Sequence, residues 1–120
     1  MKPRNLYIGL LVLASYGAAY AQNSYRSANP QLQLDVIHSD LEAFYISMDM
    51  DPRGNLYVGG RDAVYLFEAD GQGGFEERRT ITTLPHDTWA YSLQVAGDDL
   101  YVLTVTALYR LPNVIRDQGK

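Results

Sequence analysis

The sequence predicts an all-β protein, a partial β-propeller of about two four-stranded blades following a signal peptide. Three observations lead there. Past Phe44, short runs rich in Tyr, Val, Ile and Leu follow one another between Gly, Asp and Pro turns. One run recurs: Asn55-Leu-Tyr-Val-Gly-Gly-Arg-Asp-Ala-Val-Tyr-Leu-Phe67 aligns without gaps on Asp99-Leu-Tyr-Val-Leu-Thr-Val-Thr-Ala-Leu-Tyr-Arg-Leu111, with five identities each 44 residues apart. A period near 44 residues in four-stranded β units is what propeller blades show. The composition agrees, since 47% hydrophobic residues, 10 tyrosines and 10 glycines in 120 residues describe a folded, β-rich chain with room for one ordinary domain.

The N-terminus reads as an export signal. Lys2 and Arg4 precede the apolar stretch Leu6 to Ser15, and Ala19-Tyr20-Ala21 forms a small-residue cleavage site before Gln22. The apolar stretch is too short to cross a bilayer core of roughly 30 Å. The expected product is therefore an exported protein of the bacterial periplasm or exterior, with no stable membrane span after cleavage. Loss of residues 1–21 leaves 99 residues with 8 basic and 14 acidic side chains, net −6. The chain has no cysteine, which suits an oxidising compartment. Residues 22–40 form an extended polar lead-in, residues 41–85 the first blade, and residues 86–120 an incomplete second blade.

Within the first blade the strands are expected at Ile46 to Met50, Asn55 to Gly59, Ala63 to Glu68 and Glu77 to Leu84. In the second they fall at Tyr91 to Val95, Asp99 to Thr104 and Ala107 to Leu111, with the fourth missing or only begun. Upstream of the gapless window the match continues one residue out of step, pairing Phe44, Ser47, Met48 and Met50 with Trp89, Ser92, Leu93 and Val95. A turn of slightly different length explains the step. Stacked blades cover both faces of each sheet, so strict apolar and polar alternation is not required. Tyr45, Tyr57, Tyr65, Tyr91, Tyr101 and Tyr109 then supply flat packing area with a polar tip.

Composition also excludes functions. An acidic chain, formally −4, lacks the clustered Lys and Arg surface that phosphate neutralisation needs, so a nucleic-acid partner is not expected. Without cysteine there is no disulfide framework, thiolate metal site, cysteine nucleophile or covalent haem attachment within these residues. Phosphate-loop, zincin and hydrolase-elbow motifs are absent. In a propeller, the loops from the fourth strand to the next first strand, and from the second to the third, open on one rim. That rim collects His38 and Asp40 ahead of one blade, Asp87, Trp89 and His86 ahead of the next, and Arg61 and Asp62 between strands. His86 is the candidate base at neutral pH and Arg61 its candidate partner, positioned to orient it or to bind an anion. His38, Asp40, Asp62, Asp87 and Trp89 are candidate binding residues; the same residue types also serve as solvated turn formers. On the other rim, Glu68 to Glu77 reads either as a degenerate calcium loop or as a solvated Gly-rich hairpin. No metal site is assigned.

From Asp40-Leu-Glu-Ala-Phe44 to Leu111 the chain resembles the first blades of the exported, membrane-bound dehydrogenase-like propeller proteins of planctomycete and verrucomicrobial type. The phrases that carry this are Gly54 to Phe67 and, more particularly, Asp87-Thr-Trp89 followed by Gly97 to Tyr109. The wider group is similar to soluble glucose and sorbosone dehydrogenases. Resemblance implies electron transfer from a sugar-like alcohol, with pyrroloquinoline quinone (PQQ) and haem c as cofactors of the full-length family and none within this chain. A closed ring of four 44-residue blades would need about 176 residues, so the expectation is an exported N-terminal fragment, inactive alone, whose partners are the remaining blades of a longer chain or further copies of itself. The alternative is a non-catalytic two-blade module that binds protein or a sugar-like ligand.

Overall fold

Strands form where β-branched and aromatic residues lie between turn formers. The computed structural model describes residues 28–85 and 87–118, so the expected signal peptide, residues 22–27 of the lead-in and His86 lie outside the described residues. The chain divides into two units, Met1–His38 and Ser39–Lys120. Of the first, the described part is a turn at Asn29, where Leu32 N–H donates to the Asn29 carbonyl at 3.0 Å, followed by an exposed stretch carrying Leu32, Leu34, Val36 and Ile37.

The second unit holds two antiparallel sheets. The first has four strands in chain order: β1 (Ser47–Met50), β2 (Leu56–Gly59), β3 (Ala63–Phe67) and β4 (Arg79–Thr83). Three more make the second: β5 (Ser92–Ala96), β6 (Asp99–Leu103) and β7 (Leu108–Leu111). Each lies within two residues of its expected place. After β7, where a fourth strand was expected at most to begin, Asn113 turns left-handed at φ 60° and the chain forms one helical turn, α1 (Val114–Asp117). That turn sends Val114 and Ile115 into the core, and Arg53 of the first sheet donates to the Ile115 carbonyl.

The ladders reproduce the repeat. Leu56, Tyr57, Val58 and Gly59 oppose Phe67, Leu66, Tyr65 and Val64, while Leu100, Tyr101, Val102 and Leu103 oppose Leu111, Arg110, Tyr109 and Leu108. The loops agree too: Gly60 N–H donates to Ala63 O at 2.9 Å, and Thr104 N–H to Ala107 O at 2.9 Å. In the first strands Met50 opposes Leu56 and Val95 opposes Leu100, so the offset there is one residue larger. The turns absorb that residue. One runs Asp51 to Asn55 with Gly54 at φ 86°, its N–H bonded to Asp51 O; the other is the tight Gly97-Asp98 connection, with Gly97 at φ 61°.

The main core fills the space between the sheets. Tyr57, Val64 and Leu66 from the first meet Leu93, Leu100 and Val102 from the second, with Ala90, Val114 and Ile115 closing the ends. A smaller cluster of Leu56, Val58 and Phe67, covered by Tyr45, Tyr65 and Phe75, lies on the far face of the first sheet. Every residue of β2 is buried, as covered faces demand. The sheets meet along β1 and β5, where Ser47 Oγ donates to Ala90 O at 2.5 Å and Val95 N–H to Asp49 Oδ2 at 2.7 Å. Gly59 permits this approach, since a Cβ there would stand 2.7 Å from the Ala90 Cβ.

Candidate functional site

The loop from β2 to β3 places Arg61. Its backbone is held from both sides: Arg61 N–H donates to Ala43 O at 2.9 Å, and Gly60 O accepts from Ala90 N–H at 2.9 Å. These bonds bring the segments that enter β1 and β5 against one loop, and so bring distant polar residues together. Arg61 Nη2 lies 2.7 Å from Asp87 Oδ1 and its Nε 3.9 Å from Asp62 Oδ2. That Nε is shielded from solvent and has no hydrogen-bond acceptor. Asp62 Oδ1 in turn accepts from Asp87 N–H at 2.9 Å, which fixes a turn in which Asp87 sits at φ 58°. The Asp87 carboxylate raises the pKa of the Arg61 guanidinium by hydrogen bond and charge, so the cation persists at any ordinary pH.

Aromatic rings line the same rim. The Arg61 guanidinium carbon stands 5.8 Å from the Phe44 ring centre, Phe44 meets Trp89 edge to face at 5.4 Å, and Trp89 stacks on Tyr91 at 6.4 Å with 29° between planes. Phe44 and Tyr91 are about half exposed, at 46% and 51%. Phe44 and Trp89 are repeat equivalents that touch each other. The result is a wet, half-open group of one cation, two carboxylates and three rings.

Not every candidate joins it. Asp40 instead pairs with Arg78 at 2.9 Å, in a group where Arg78 also donates to Tyr45 Oη at 2.5 Å and lies 4.4 Å from the Tyr65 ring centre. Backbone donation from Glu42, and then Arg78, holds the Asp40 carboxyl below its ordinary range. His38 belongs to the first unit, and His86 lies outside the described residues. On the other rim, the Asp70 carboxylate accepts from the Gln72 and Gly74 amides at 2.7 and 2.9 Å, so it is spent on the turn. Among the described residues no group of three or more His, Asp or Glu is placed to hold a metal ion.

One polar network had no forecast. Asp51, 4% exposed, takes hydrogen bonds at Oδ1 from Arg53 and Asn55 amides at 2.8 and 3.0 Å, and at Oδ2 from Asn55 Nδ2 at 3.0 Å and Tyr57 Oη at 3.3 Å. Asn55 Oδ1 passes the chain on to Ala69 N–H at 2.9 Å. Burial and the adjacent Asp51 push the Tyr57 phenol up to about 12. Every donor here serves the turn, which makes it structural. A cleft of about 260 Å³ lies between β4 and the turn after β7, lined by Ile81, Thr82, Leu111, Asn113, Val114 and Asp117.

Two carboxylates beside one arginine would repel an anionic quinone such as PQQ, and a chain with no cysteine offers no thioether attachment for haem c. No protein-family model, curated protein or solved structure matches the chain. Among the described residues, no helix is long and apolar enough to cross a membrane.

Proposed function

We propose that the chain forms two successive blades of an exported β-propeller and that the rim around Arg61 binds a neutral, sugar-like polyol. The observation that carries the binding reading is the stacked pair Trp89 and Tyr91 beside Arg61, Asp62 and Asp87. Aromatic faces pack on the apolar side of a sugar ring, while the carboxylates and the exposed end of the guanidinium take its hydroxyl groups. A neutral ligand suits a site in which two carboxylates outnumber one guanidinium and disfavour an anion. Support for the blade reading comes from two sheets with equal ladder register, stacked along their first strands. Membership of the dehydrogenase-like class rests on the sequence resemblance, and within such a protein this chain's part is binding, with redox chemistry supplied elsewhere.

Trp89 is the one tryptophan of the chain, so intrinsic fluorescence reports on the site directly. Titration with glucose, sorbose and their polyols is expected to give a saturable change in emission that Arg61→Ala weakens. Emission that stays flat for all of these sugars would refute the binding reading.

A further inference from the structure

The contact between the sheets is head to tail, and it leaves both of its halves available for reuse. Ladder register turns Ser47, Asp49, Tyr57 and Val64 of the first sheet toward the second, which answers with Leu93, Val95, Leu100 and Val102. Under the repeat these faces are not equivalents. Ser47 and Asp49 correspond to Ser92 and Gln94, on the opposite face of the second sheet; Leu93 and Val95 correspond to Met48 and Met50, on the opposite face of the first. A contact between unlike faces of like units propagates, giving a ring where the rotation closes and a filament where it does not. Apolar side chains stand exposed on both unused faces, Leu103 and Leu108 at 48% and 67% on one and, along β1, Met48 and Met50 at 67% and 49% on the other, where Leu56, Val58 and Phe67 further in are already covered by Tyr45, Tyr65 and Phe75.

We infer that a second copy of the chain stacks on the first, the Ser92 and Gln94 face of one copy covering the Met48 and Met50 face of the next. This rests on the blade reading above and continues the interface the chain already makes with itself. Moved one unit along, the bond from Ser47 Oγ to Ala90 O becomes Ser92 Oγ to Tyr45 O. The bond from Val95 N–H to Asp49 becomes Met50 N–H to the Gln94 side-chain carbonyl, with Met50 N–H released from Asp49 Oδ1, its 2.9 Å partner in the single chain. One position departs from the template: Gly59 and Ala90 correspond to Leu103 and Tyr45, which are bulkier and hold the faces further apart at that end. Gln94 is one methylene longer than Asp49 and spans the wider gap.

Sedimentation and light scattering across a concentration series test this. The chain is expected to associate, and Met48→Glu and Leu103→Glu, each blocking one face, are each expected to weaken association about tenfold or more. Mixed together, the two variants retain one good face apiece and should form a discrete 1:1 dimer, which two-fold self-pairing cannot produce. Circular dichroism establishes that each variant is folded. Because the chain has no cysteine, Met50→Cys and Gln94→Cys chains give a second measurement: a short bismaleimide should join the mixture about tenfold more than either alone. A chain that stays monomeric, a mixture that forms no dimer, or no excess of mixed crosslink overturns the inference. The double variant Asp49→Cys with Val95→Cys separates the readings, since an internal crosslink without mixed dimers leaves the blade reading standing, and its absence removes both.

Discussion

Gly59 is where the two sheets come closest, and replacing it with alanine measures how tightly they are joined. The added Cβ would lie 2.7 Å from the Ala90 Cβ and 2.8 Å from the Ala90 carbonyl oxygen, and closer still to Ser47 Oγ. Two of these neighbours are fixed by backbone, because Ala90 N–H is bonded to Gly60 O at 2.9 Å. The sheets must therefore separate or Ser47 must turn away from Ala90 O. Overpacking a close joint costs about 1–3 kcal/mol, and the lost hydrogen bond about 1 kcal/mol. Against this stands the gain of about 0.4–1 kcal/mol that Gly→Ala brings by restricting the unfolded chain. A net loss of about 2 kcal/mol is expected, which lowers Tm by about 8–16 °C for a unit of this size. Thermal unfolding followed by circular dichroism and by Trp89 emission reads it. Adding Ala90→Gly removes the nearest carbon and should restore about half of the loss, a coupling that only contacting residues show. If Gly59→Ala melts at or above the parent temperature, the sheets do not meet as described.

Three further outcomes follow from the polar groups. Asp51→Ala leaves two backbone amides, Asn55 and Tyr57 without their acceptor in a buried turn, and is expected to destabilise by about 2–4 kcal/mol in urea denaturation, against about 1 kcal/mol for Tyr57→Phe. Because the Tyr57 phenol is raised from 10.0 to about 12 in the fold, the folded state holds that proton more tightly; the associated stability is whole below pH 10 and lost as pH climbs to 12, a loss that Tyr57→Phe should abolish. Asp40 and Asp99, both lowered from 3.8 chiefly by backbone donors, act at the other end: their stability is present above that value and fades as pH falls through their folded values, and Asp40→Asn should flatten the acid limb of the melting profile. Arg61→Ala, at an exposed ion pair, should leave the melting temperature nearly unchanged while weakening the sugar response of Trp89.

The strands could be read from sequence because a repeat is a statement about hydrogen-bond ladders. Identical spacing of Leu56, Tyr57 and Val58 and of Leu100, Tyr101 and Val102 fixes the same partners in both sheets, and the step at Phe44 and Trp89 located the turn that differs. Grouping by rim found Arg61, Asp62, Asp87 and Trp89 together, since loops that join neighbouring strands at one end must be neighbours. It did not foresee that Asp40 pairs with Arg78. The run Glu76-Glu-Arg-Arg79 looks uniformly solvated, and only the bulge between Val64 and Tyr65 decides which arginine turns to the tyrosines. Asp51 was hidden for a related reason. Asp-Pro-Arg-Gly-Asn is a phrase any exposed hairpin uses, and its burial follows from Asn55 reaching Ala69, a contact between segments that local spacing cannot reveal.

The two turns of unequal length have a practical meaning for engineering. A residue gained inside a strand would invert the inward and outward sense of everything beyond it, whereas the extra residue in Asp51–Asn55 leaves β1 and β2 with the same sense as β5 and β6. Length at this end of the molecule is thus uncoupled from the packing of the sheets. The Gly97-Asp98 connection, whose glycine has open space around it, is the natural point to graft a foreign peptide, and an epitope or affinity tag joined at Gly97 would ride on the protein as long as the Asp98 carbonyl keeps its hydrogen bond from Ile115 N–H.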